Sequence, residues 1–233
     1  MQVQINHYIN GFLTYLLLAG LFLLPACINN NLGNRFIDAA NGEWGLKVFL
    51  SSSGFTGNFL ADIPAEPAHG TNCTGTAIEM ANCWCTKAAR DSLITLREKK
   101  IYAWLSDIST DAVCNIQGLI GKNCSIEKYS NVPYISVAAA NPDFFPIIAD
   151  NLENLISGKL SSSVSTFTSL IWTGSNNQGI GQSDNCQNWT SADGGGAISG
   201  VYGQPNNAAN WSQISIDACN VSKNILCFEG PLN

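Results

Sequence analysis

Nine cysteines, at positions 27, 73, 83, 85, 114, 124, 186, 219 and 227, carry the most legible chemistry in this sequence. Thiols used this often either pair as disulfides in an oxidising compartment or hold a metal. The metal reading is weak, because Cys83-Trp84-Cys85 lacks the usual two-to-four-residue spacing and no histidine pair accompanies it. An odd count in an exported chain asks for one thiol with a separate fate, which leaves eight for four bridges. Other reactive side chains are sparse. His69 stands in a loop rich in Pro and Gly, without a nucleophile marked by a local motif, and neither G-x-S-x-G nor H-E-x-x-H occurs. Gly118–Asn123 is too short for a phosphate-binding loop. Two carboxylates facing each other across a cleft, as in glycoside hydrolysis, cannot be read from sequence spacing. No catalytic residue, cofactor or metal ligand is therefore assigned, and the reading is of a protein that is not an enzyme.

The elements that must hold these cysteines follow from local pattern. Leu46–Ser51 reads as the first strand, and Ala77 to about Arg97 has helical spacing through Ile78, Ala81, Cys85, Ala88 and Ala89. A strand at Ile101–Leu105, a loop bracketed by Cys114 and Cys124, and an extended Val132–Val137 come next. Phe144–Ile156 reads as a second helix, with Pro146 tolerable in its first turn. Leu170–Trp172 and Ile225–Cys227 are short apolar runs bounded by Gly, Asn and Ser, the pattern of buried strands. Trp104 and Trp172 lie in apolar runs and are read as core, as is Trp189, whereas Trp44, Trp84 and Trp211 are candidates for exposure. Charged residues make up only 12% of the chain, against about 25% in an ordinary soluble domain, so Asn, Ser, Thr and Gly must build the polar surface. The net charge of −6 disfavours a protein built to hold nucleic acid, heparin or anionic lipid.

Phe12–Leu24 is an uncharged apolar run too short to cross a bilayer and suited to the core of an export signal. Leu24-Pro25-Ala26-Cys27, with a small residue directly before the cysteine, resembles the lipobox of bacterial lipoproteins. That resemblance implies removal of residues 1–26, acylation of Cys27, and a tether over residues 27–45 ahead of one domain at 46–233. The region before the apolar run has no Lys or Arg, which departs from the usual signal. An ordinary cleaved signal with Cys27 as a bystander is the alternative.

Taken in order, the helix bearing Cys85, Ala103-Trp104-Leu105-Ser106-Asp107, Val132-Pro133, Trp172–Asn176, Cys186–Ser191 and the terminal Cys219 … Cys227-Phe228-Glu229 are similar to endostatin, a domain built on a C-type-lectin-like fold. The similarity is closer to the leptospiral endostatin-like lipoprotein family. The resemblance covers about Leu46 to Glu229 and implies an α+β, C-type-lectin-like domain with a mixed, mostly antiparallel sheet, two helices and disulfide staples. It also implies an outer bridge Cys85–Cys227 around an inner Cys186–Cys219, with Cys114–Cys124 closing a small loop. Cys73 and Cys83 have no counterpart and are left to bond to each other. Gly203-Gln204-Pro205-Asn206 matches a calcium- and sugar-binding motif of C-type lectins, but it follows Cys186 rather than preceding it, and its usual Trp-Asn-Asp partner is missing. A plain Pro-Asn turn is the better reading. Endostatin's zinc and heparin functions do not transfer to this acidic chain.

Two functions of different classes follow. One is a lipid-anchored outer-membrane adhesin facing the cell exterior, for which the resemblance implies host partners: laminin, fibronectin, fibrinogen, plasminogen and complement factor H. The other is a structural or carbohydrate-binding envelope lipoprotein that reuses the fold. A monomer is expected. Ligand-contacting residues are not fixed by sequence; Tyr202 and Trp211, in the loop between Cys186 and Cys219, are weak candidates because interfaces favour such aromatics.

Overall fold

A computed structural model describes residues 45–64, 73–92, 99–125, 132–137, 146–158, 160–164 and 168–230. The chain divides into two units, Met1–Trp44 and Gly45–Asn233, and only the second falls among these residues. The export signal, Cys27, the tether to residue 44, Trp44 and His69 thus lie outside the described residues.

Strand β1 (Leu46–Leu50) is central in a five-stranded sheet ordered β2-β8-β1-β3-β4, where β2 is Ile101–Ala103, β3 Tyr134–Ser136, β4 Ile147–Ala149 and β8 Leu226–Glu229. The β1–β3 pair is parallel and the other pairs are antiparallel. A second sheet of three antiparallel strands orders β5 (Ile171–Trp172), β6 (Ser199–Gly203) and β7 (Ser215–Ala218). The molecule is α+β, with mixed sheets and mostly antiparallel pairing.

Side-chain alternation explains why β8 is buried along its whole length. Leu226 and Phe228 point into a cluster with Leu46, Val48, Trp104, Tyr134 and Trp211, while Cys227 points to the other side with Phe49, Ala103 and Cys85. Both faces of the strand are covered, so its sequence reads as a continuous apolar run rather than an alternating one.

Helix α1 (Phe59–Asp62) is a single turn capped by the Asn58 side chain. Helix α2 (Ala77–Ser92) begins in a reciprocal cap: Glu79 Oε2 accepts from Thr76 N, and Thr76 Oγ1 accepts from Glu79 N. Ala77, Ile78, Ala81, Cys85 and Ala89 bury its inner stripe. Beyond Ser92, the expected extension to Arg97 lies outside the described residues. Asn82 on α2 and Asn115 on α3 (Ala112–Asn115) donate to each other's amide oxygens at 2.8 and 2.9 Å, and both bond the backbone of Ala103. That amide pair fixes α2 and α3 against β2.

The second helix differs from expectation. Pro146 precedes a strand, not a first helical turn, and residues 147–149 pair with β3 as β4. Only Leu152–Ile156 is helical (α4), started by Asn151, whose side chain accepts from Asn154 N. Its apolar residues fit either period, and pairing with β3 decides for strand. The expectation of two helices is thereby corrected: among the described residues one long helix is accompanied by short ones.

Glu229 ends β8 almost wholly buried. Its carboxylate accepts from Lys47 N at 3.0 Å and stands 3.8 Å from Lys99 Nζ. Burial outweighs both and pushes its pKa above the ordinary value. A carboxyl that binds its proton more tightly in the folded state contributes stability as pH falls through that raised pKa, and lowers stability once ionised at neutral pH. Glu229→Gln should therefore raise the melting temperature at pH 7 and narrow the difference between pH 7 and pH 5. Equal losses at both pH values would show that the buried charge is not the governing effect.

Candidate binding face

Strands β1 and β2 run in the same direction, each antiparallel to β8. Leu46 and Ile101 lie at the Glu229 end, and the chain leaves β2 at the other end, where Trp104 N donates to Leu226 O. It then enters the loop Ser106–Asp111. Loop-building groups are concentrated here.

Asp107 closes this loop on itself, its Oδ1 accepting from Ser109 N, Ser109 Oγ and Thr110 N. Ser106 Oγ accepts from Ala112 N at the start of α3. Asp111 is fully buried, and its carboxylate joins two further loops: Oδ1 accepts from Gly181 N at 2.8 Å, and Oδ2 from Asn123 N at 2.9 Å. Its own N–H donates to Gly121 O. One side chain thus ties together segments 106–111, 118–123 and 176–182. The middle segment is also closed by Cys114–Cys124. Gly179 has a left-handed φ of 76°, and an added Cβ would lie 2.9 Å from the Trp104 ring, so glycine is required there.

Cys186, Gln187, Asn188 and Trp189 have φ of 52°, 54°, 57° and 61°: a full left-handed turn without glycine. Each such residue costs about 1–2 kcal/mol, so strong local contacts must hold it. Asn185 Oδ1 accepts from Asn188 N, Cys186 is bonded to Cys219, and Trp189 Nε1 donates to Ser106 O at 2.7 Å. The Trp189 ring is fully buried and stacks on Phe59 at 5.2 Å. Asn188 Oδ1 accepts from Ile108 N, which fastens the turn to the Asp107 loop.

These pinned segments expose aliphatic side chains. Ile108 is 71% exposed, Ile120 85%, Leu119 42% and Ile180 40%. Sequence reading missed all four, because one or two aliphatic residues in a loop carry no periodic signal.

Eight of the nine cysteines lie among the described residues, paired as Cys85–Cys227, Cys186–Cys219, Cys114–Cys124 and Cys73–Cys83. Residues 204–207 form a turn, Asn207 N donating to Gln204 O. No group of three or more His, Cys, Asp or Glu suited to a metal occurs among the described residues.

Trp211 is fully buried, its ring 4.6 Å from that of Trp104, so its expected exposure is corrected: the second cluster claims it. Trp84 is half-buried, edge-on to Phe55. Tyr202 is half-buried on β6 and covers Lys223, whose Nζ lies 4.4 Å from the Tyr202 ring and 4.8 Å from Trp172. Lys223 also pairs with Asp217 at 2.6 Å, a bond that holds the Asp217 carboxyl below its ordinary pKa. Tyr202 is thus engaged with Lys223 and Trp172 in an aromatic box.

Fold and face together define a small α+β domain stapled by four disulfides, with an end built of locked loops. The chain belongs to the family described as protein of unknown function DUF1554, whose model matches residues 67–208, more than half of the sequence. No curated protein matches it.

Proposed function

We propose that this protein is a surface-exposed, lipid-anchored binding protein whose domain, of C-type-lectin-like form, presents its locked loops to extracellular host proteins. The observation that carries the reading is the junction at Asp111, where one buried carboxylate holds three loops that expose four aliphatic side chains. Rigid loops lose little entropy on binding, and clustered exposed apolar groups mark interaction surfaces on soluble domains. Laminin, fibronectin, fibrinogen, plasminogen and factor H come from family resemblance and are the first partners to test.

The chain with disulfides intact should bind at least one of these immobilised proteins saturably. Moderate salt should weaken that binding only modestly, since few charges are available to steer it. Reduction should abolish it. The anchor is tested by labelling cells with a fatty-acid analogue: the wild-type protein should take the label and Cys27→Ala should not. Lack of saturable binding to the whole panel would remove the adhesin reading and favour an envelope-structural role.

A further inference from the structure

We infer that Cys114–Cys124 is a thiol-exchange site: an external thiol opens this bridge at Cys124, while the other three bridges and both sheets persist.

Burial separates the four bridges. Cys85, Cys227, Cys186 and Cys219 are fully buried, so neither nested bond offers a sulfur to a thiol in solution. Each of the two short bridges has one half-buried sulfur, Cys124 or Cys83. Cys124 lies between the exposed Asn123 and Ser125, at the end of a loop whose residues 118–120 are also exposed. Cys83 instead lies within the long helix α2, two residues from Cys85, which is bonded to β8.

The leaving sulfur then favours one bridge over the other. A thiolate attacking Cys124 Sγ forms a new S–S bond to it and breaks the bond to Cys114, whose Sγ leaves with the electron pair. That sulfur accepts Cys124 N–H at 3.3 Å, and an N–H directed at sulfur favours the anion. The same attack on Cys83 would place the charge on Cys73, a buried member of the apolar cluster with Phe59 and Ile63, where burial disfavours a thiolate. Asp111, three residues before Cys114, opposes a second negative charge, but the N–H groups of Gly181 and Asn123 share the charge of its carboxylate. With a dithiol as reductant, its second thiolate attacks the mixed disulfide at the reductant's sulfur and expels Cys124. The dithiol leaves as a cyclic disulfide, and its two protons pass to Cys114 and Cys124.

Hydrogen bonds keep the opened loop in place. Asp111 N donates to Gly121 O, Asn123 N to Asp111 Oδ2, and Leu119 N to Cys114 O. None of these runs through the bridge, so the two sulfurs stay close enough to rejoin. The bond spans only 10 positions, and opening it releases a short loop and no strand.

The test starts from the full chain with its disulfides formed and free thiols blocked by N-ethylmaleimide. Limiting dithiothreitol is added at mildly alkaline pH, samples are quenched with iodoacetamide over time, and peptide mass spectrometry locates the label. Cys114 and Cys124 should be labelled together, about tenfold faster than Cys73 and Cys83, with the nested pairs last. The species open only at Cys114–Cys124 should keep the near-ultraviolet circular dichroism of the native chain. Its Leu119 and Asn123 amides should exchange faster, while those of β1 and β8 are unchanged. Acid quenching after brief exposure to glutathione should find the mixed disulfide on Cys124. Joint Cys114→Ser and Cys124→Ser replacement should remove the first labelling phase and leave the near-ultraviolet signal intact. The inference is overturned if another bridge opens first, if opening this one abolishes the near-ultraviolet signal, or if glutathione is found on Cys114 or nowhere. Failure of the double variant to fold also overturns it, because the bridge could then not open alone.

Discussion

Joint replacement of Cys85 and Cys227 by alanine should destabilise the domain by about 5 kcal/mol, the largest loss expected from removing any one of its bridges. The two residues are 142 positions apart, so the bond removes a very large loop from the unfolded ensemble, and chain entropy scales with the logarithm of that loop. Both are fully buried, and the bond joins α2 to β8 between the helix and the sheet. Since whole domains are stable by roughly 5–15 kcal/mol, the variant should be largely unfolded near body temperature. The Cys73–Cys83 bridge, with a separation of 10, should contribute about 3 kcal/mol by the same reasoning. Urea denaturation of the two double variants checks the order. If the Cys73 and Cys83 pair costs as much as the outer pair, loop entropy does not govern stability here.

Asp111→Ala should cost about 2–4 kcal/mol and loosen the three loops it joins more than the rest of the domain. Two hydrogen bonds to a buried carboxylate disappear, and the N–H groups of Gly181 and Asn123 lose their acceptors. Asp111→Asn should cost less, because the amide oxygen can still serve one of those donors. Hydrogen exchange distinguishes a local from a global effect. The Gly181 and Asn123 amides should lose protection by more than the overall destabilisation accounts for, while those of β1 and β8 follow global stability. Retained protection at both amides would show that other contacts, such as Cys114–Cys124, hold the loops without Asp111.

Local pattern located most of the strands because each is a short apolar run between turn residues: Leu46–Leu50, Ile101–Ala103 and Leu226–Glu229 all lie where periodicity and flanking residues point. The long helix was legible for a similar reason, its apolar stripe through Ile78, Ala81, Cys85, Ala88 and Ala89 being a local feature. Residues 144–156 misled because Ile147, Ile148 and Leu152 suit either period, and contact with β3, distant in sequence, chose the strand. Trp211 misled in another way: a tryptophan between Asn210 and Ser212 has polar neighbours in sequence, yet packs on Trp104, which is far from it along the chain.

By itself, then, the sequence determined an uncharged apolar run at Phe12–Leu24, an even set of eight cysteines beyond Cys27, a low content of charged residues with an acidic balance and the kinds of element that form the sheets. Those properties depend on composition and on neighbours a few residues apart. Only the tertiary structure decided that Asp111 joins three loops, that four non-glycine residues take a left-handed turn, that Lys223 is enclosed by Trp172 and Tyr202, and that Ile108 and Ile120 stand exposed beside one another's loops. Each of these depends on groups far apart in the chain. A carboxylate's partners, or the contacts that offset backbone strain, come from wherever the fold brings chain segments together, and no local pattern records that meeting.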